Sequence, residues 1–244
     1  MAASDLPLLP VMIRLYLDQL RFALVQPDQP AEYWPFDAEA ENMVKAAALT
    51  VRLERLRPLR HCRRMSSLPL ALLIGLIIER LPPGSHYLNI GVWHGFTLFA
   101  GMLLSPDTPC IGLDNFSEFG NADRNRQAFL ARFQQLRTGA HQQFYEVEYR
   151  AFFAREQPVP VGLYFYDGAH DYASQLEALE LGDPWVIPGG IVLVDDTNAP
   201  DPRQATLDFL AQHKNYALIA DVQTANTAHP TYWNGVMVLV KKSR

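Results

Sequence analysis

The order of the apolar segments from His86 onward narrows the fold of this chain more than any other feature. Short runs of strand character alternate with helix-length runs: HYLNIGV, FTLFAGMLL, PCIGLDNF, NRQAFLARFQQLR, QFYEVEY, VGLYFYDG, YASQLEALEL and GGIVLVDD. Such alternation predicts βαβ units and a parallel sheet with helices on its faces. A helix opened by Asp201-Pro202 follows and runs to about Gln212, with Asp201 as its N-cap and Pro202 at its first position. YALIADVQ and GVMVLVKK come next with no helix between them, so they pair antiparallel or lie apart. An α/β fold is expected, with a mostly parallel sheet and an antiparallel C-terminal pair.

The first eighty residues read differently. VMIRLYLDQLRFAL has apolar residues at helical spacing, and the proline-rich QPDQPAEYWPF breaks it. A second helix fits AEAENMVKAAALTVRLERLR. A third fits Ser66 to Leu81, with Ser67 as N-cap and Pro82-Pro83-Gly84 as the stop. Residues 1–84 are therefore a helical extension on a unit spanning 85–244, expected to cover a ligand or to form a homodimer contact.

Composition excludes several classes. Hydrophobic residues make up 49% and charged residues 19%, which is ordinary for a globular chain. A net charge of −5 gives no global reason for a nucleic-acid or membrane-surface partner. Cys62 and Cys110 lie far apart, which fits unpaired thiols in a reducing compartment. The start, MAASDLPLLP, lacks the pattern of a signal peptide, and LPLALLIGLII is too short for a bilayer, which takes about 20 residues. A cytoplasmic protein is expected.

Two groups of residues carry chemistry. In the first, NIGVWHGFT places Gly91 and Gly95 where a strand turns into a helix, as close approach to a ligand requires. Val92-Trp93 stands where a nicotinamide fingerprint has its second glycine, so pyrophosphate binding is disfavoured. Asp114 ends the next strand, nineteen residues past Gly95, and suits the hydroxyls of a ribose; as part of Asp114-Asn115 it also suits a turn. Trp93 and His94 either line this pocket or pack.

In the second group, Asp167 ends one predicted parallel strand, and Asp195 and Asp196 end the next. Neighbouring strands lie about 4.8 Å apart, so the carboxylates can converge, which calls for a bound proton or a cation. Oxygen ligands of this kind suit magnesium, calcium or manganese. Turn initiation by Asp195-Asp196 is the other reading. His170 follows Asp167 by three residues and can serve as a general base or as a local cap. Asp171 and Tyr172 begin the next helix.

Together, YLNIGVWHGFT, IGLDNF, LYFYDGAHDY and PGGIVLVDD resemble the successive motifs of class I S-adenosylmethionine-dependent methyltransferases, over roughly residues 86–198. The resemblance implies a Rossmann-like, seven-stranded sheet with an antiparallel C-terminal strand. It also implies S-adenosylmethionine held by Asn89, Gly91, Trp93, Gly95, Asp114, Asn115 and Asp167. Asn89 departs from the family, which usually has Glu or Asp there. The spacing of 28 and 29 residues from Asp167 to Asp195 and Asp196 is similar to metal-dependent O-methyltransferases of the catechol type. It is closer to those acting on sugars of macrolides and aminocoumarins. That likeness implies Mg²⁺ at Asp167, Asp195 and Asp196, with His170 as base.

The expected activity is Mg²⁺-dependent methylation of a small-molecule hydroxyl on a sugar, polyol or natural product. A metal-free methyltransferase and a non-catalytic binding module are the alternatives. Residues 52–64, RLERLRPLRHCRR, hold six arginines. They read as a solvated face, or as a site for a phosphorylated or sulfated acceptor or a partner. His61, His86, His141, His213 and His229 share no ligand spacing.

Overall fold

The computed structural model describes residues 8–23, 35–44 and 50–243. A seven-stranded sheet forms its centre, in the order β3-β2-β1-β4-β5-β7-β6. The strands are β1 (His86–Ile90), β2 (Cys110–Asp114), β3 (Gln142–Glu146), β4 (Val161–Tyr166), β5 (Val186–Asp195), β6 (Tyr216–Val222) and β7 (Val236–Lys241). The first five are parallel, and β7 inserts antiparallel between β5 and β6. This is a Rossmann-like methyltransferase fold, and the helix-free link between the last two strands does produce an antiparallel pair.

Helices cover both faces. On one lie α1 (Leu9–Ala23), α2 (Phe36–Val44), α3 (Thr50–Arg55), α4 (Leu68–Ile78), α5 (Phe96–Leu104) and α6 (Ala122–Leu136). On the other lie α7 (Tyr149–Arg155), α8 (Tyr172–Gly182) and α9 (Pro200–Gln212). The period-2 alternation of the strands divides the core accordingly. Tyr87, Leu163, Phe165 and Ile191 pack with the N-terminal helices, and Leu88, Tyr164, Tyr166 and Val192 with Leu179 and Phe209.

The segment from Leu68 to Ile78 is apolar all round, and every one of its residues is buried. Ser67 caps it, its hydroxyl accepting from the Leu70 amide at 3.3 Å. Glu39 of α2 reaches the same helix start: its Oε1 accepts from the Leu68 amide at 2.8 Å, and it forms a buried ion pair with Arg64. The N-terminal helices thus share one hydrophobic core with the sheet.

Two local expectations change. The strand read as QFYEVEY ends at Glu146, and Tyr149 opens the short helix α7, capped by Glu148. Seven residues are too few for a helical period to show in sequence. Asp201 does not cap α9: Ala199 is the N-cap, Pro200 starts the helix, and Asp201 lies in its first turn. The expected helix over residues 38–57 overlaps α2 and takes in α3, and residues 45–49 between them lie outside the described residues. No helix among the described residues is long and apolar enough to cross a membrane. Cys62 and Cys110 are both buried and free.

Candidate active site

The sheet reverses its winding between β1 and β4, and in open α/β sheets ligands bind at such a point, beyond the strand ends. A cleft of about 680 Å³ opens there. Gly91 leaves β1 at φ +80°, and a Cβ on it would sit 1.7 Å from the Asp167 carbonyl oxygen. The residue must be glycine because the chain leaving β4 passes against it, and not only for a ligand's sake. Gly95 caps α5 at φ +89°, where a side chain would meet the Phe99 ring.

The backbone of the glycine turn folds around Asp114. One carboxylate oxygen accepts from the Trp93 amide and the other from the Phe116 amide, both at 2.6 Å. Burial raises the Asp114 pKa, while these amides and those of Val92 and Asn115 oppose the rise. A carboxylate has about four acceptor positions, so further donors such as ribose hydroxyls can still be taken. Trp93, Phe116 and Asp196 all line the cleft at positive φ, and strained backbone of this sort gathers at functional sites.

Across the cleft, Tyr166 of β4 pairs with Val194 of β5, so Asp167 and Asp195 follow side by side. Burial and the neighbouring carboxylates of Asp195 and Asp196 push the Asp167 pKa well above the usual range. Asp195 is raised likewise, by burial and by Asp196. His170 Nε2 lies 2.9 Å from Asp196 Oδ2. Burial lowers the imidazole's pKa, but the Asp196 hydrogen bond and the charges of Asp196, Asp195 and Glu118 outweigh it, and the net shift is upward. Asp167, His170 and Asp196 each offer a ligand atom within 4.8 Å of the others, a donor set that fits a divalent cation.

The expected site residues separate in space. Gly91, Trp93, Asp114, Asn115, Asp167, His170 and Asp196 line the cleft. Asn89 lies beneath it, fully buried, with its Oδ1 accepting from the hydroxyls of Thr97 at 2.9 Å and Tyr87 at 3.3 Å. Asp195 also stands behind the cleft, 1% exposed, with its Oδ1 accepting from the Asp196 amide at 3.0 Å. The metal-sized cluster therefore contains His170 where the spacing suggested Asp195. Glu118, Tyr149 and Arg63 join the lining without having been singled out as site residues. They come from loops and a short helix with no periodic signal, although Arg63 belongs to the arginine-rich stretch.

Comparisons with known proteins agree with this fold. Residues 88–197 match a family model described as a methyltransferase domain. No curated protein matches the sequence. An O-methyltransferase from Bacillus cereus in complex with S-adenosylhomocysteine (SAH) is 15% identical, with a TM-score of 0.56 over 95% of this chain and 100% of its own. The O-methyltransferase TomG from Streptomyces achromogenes, involved in tomaymycin synthesis and solved with S-adenosylmethionine, is also 15% identical, with a TM-score of 0.56 over 94% and 96%. CalS11, the TDP-rhamnose 3'-O-methyltransferase of calicheamicin biosynthesis, is 19% identical, with a TM-score of 0.52 over 89% and 97%. At these identities the likeness is one of fold.

Proposed function

We propose that this chain, a class I S-adenosylmethionine-dependent methyltransferase by its domain at residues 88–197, methylates a hydroxyl oxygen of a small molecule such as a sugar, polyol or natural product. The observation that carries the reading is the contact between His170 and Asp196 inside the cleft. It supplies a base oriented by a carboxylate, which is what an acceptor hydroxyl needs in order to lose its proton. The O-methyltransferase activity named for three structural neighbours supports the same chemistry.

The glycine turn and Asp114 hold the cofactor along the ends of β1 and β2, with Trp93 and Asn115 beside it. Asp167 and Asp196 would hold a divalent cation, with the buried Asp195 behind them. Such an ion, Mg²⁺ in our reading, would lower the acceptor hydroxyl's pKa and orient it. His170 takes the proton, and Asp196 steadies the imidazolium that forms.

Incubation with S-adenosylmethionine, Mg²⁺ and a panel of sugars, polyols and catechols should release SAH. His170→Ala should abolish release while leaving SAH binding in place. A protein that binds no SAH at millimolar concentration would overturn the reading. The direct hydrogen bond of His170 to Asp196 also favours a metal-free variant of the same reaction, in which Asp196 only orients the base. Full activity in excess EDTA would select that variant.

A further inference from the structure

Five of the six arginines between residues 52 and 64 are engaged. Arg52 is held by Glu79, Arg57 by Glu54, Arg60 by Asp37 and Arg64 by Glu39. Arg55 donates to the Leu104 carbonyl at 3.2 Å. Arg63 differs: among the described residues it meets no carboxylate. Its guanidinium lies 5.0 Å from the centre of the Trp93 ring, and its exposed side chain lines the cleft. Stacking on an aromatic face orients the guanidinium while leaving its N–H edges free to donate.

Burial and the charges of Arg63, Arg132 and Arg124 lower the pKa of the nearby His94, against the hydrogen bond to Asn125. Arg132 is turned toward Cys62 Sγ and the His61 carbonyl, both at 3.4 Å, whereas Arg124 is exposed. His94 holds Asn125 at 3.1 Å, one residue from Arg124. The cleft is therefore bipolar, acidic around Asp167, Asp196 and Glu118 and cationic around Arg63.

We propose that Arg63 binds a phosphoryl or sulfuryl group carried by the methyl acceptor. The proposal rests on reading the cleft as the methyltransferase site, and it defines the acceptor as an anionic small molecule. A guanidinium fork matches such oxyanions in bidentate fashion. Arg63 is exposed, while Gly91, Trp93 and Asp114 on the cofactor side are half-buried.

Calorimetry on the SAH-saturated protein at low ionic strength, with inorganic pyrophosphate as the probe, tests this. The wild type should bind pyrophosphate, Arg63→Gln should weaken binding about tenfold, and Arg63→Lys should retain part of it. SAH affinity in both variants should stay within about threefold of wild type. Pyrophosphate that binds neither protein, or both equally, overturns the proposal. A loss of SAH affinity in Arg63→Gln also overturns it, because Arg63 would then serve the cofactor's own carboxylate. A wild type that fails to bind SAH at all is a failure of the underlying methyltransferase reading and is seen before pyrophosphate is added.

Discussion

His170 Nε2 stands 2.9 Å from the Asp196 carboxylate, joining the loop after β4 to the end of β5 within the cleft. This contact raises the imidazole's pKa above its ordinary value of about 6.5. A base must be neutral to act, so kcat/KM should rise with pH through that raised value and level off above it. Asp196→Asn removes the charge that favours the imidazolium. The acid limb of the profile should then move to lower pH, with kcat reduced roughly 10²-fold. An acid limb unmoved by Asp196→Asn would show that His170 is not the titrating base.

Asp167, half-buried at the cleft, stands beside the buried Asp195, and the Asp196 charge helps raise the pKa of each. A cation relieves that repulsion, so Mg²⁺ or Mn²⁺ should raise the melting temperature of the wild type, with EDTA reversing the effect. In Asp167→Asn the metal-dependent shift should disappear. A melting temperature indifferent to divalent ions would select the metal-free reaction.

At Gly91 an added methyl group meets the Asp167 carbonyl, and φ there is +80°. Gly91→Ala should therefore force β1 and β4 apart at their ends. A stability loss of at least about 2 kcal/mol is expected in denaturant titration, together with a loss of more than tenfold in SAH affinity. Gly84, also at positive φ but with nothing within 4 Å of its Cβ position, is the control and should show only the smaller strain cost.

Glu39 and Arg64 form an ion pair with side chains 2% and 9% exposed. Glu39→Ala leaves a buried guanidinium and an uncapped Leu68 amide. The expected cost is about 3 kcal/mol in chemical denaturation. Arg64 also lines the cleft, so a weaker SAH affinity should accompany it.

Alternation of strand and helix, the glycine turn and the helix-free link before the last strand were legible because each is a local pattern. The expected parallel sheet, its antiparallel end, the Ser67 cap and the helix start at Asp171-Tyr172 all follow from residues close in sequence. So does the gathering of Asp114, Asp167 and Asp196 at the strand ends, since parallel strands must finish on one edge. Helix α7 escaped notice because seven residues show no period.

The chain order alone determined the fold class and which edge of the sheet bears the chemistry, because hydrophobic periodicity and βαβ handedness leave little freedom. Only the tertiary structure decided which side chains face the cleft. Asp195 and Asp196 are adjacent in sequence, yet the left-handed backbone at Asp196 turns that carboxylate toward His170 while Asp195 stays buried. In the same way, Asn89 bonds to Thr97 beneath the glycine turn, and Arg63, one of six arginines, is the one laid on Trp93. Side-chain direction at a strand end depends on backbone angles and on partners distant in sequence, which no spacing of residues encodes.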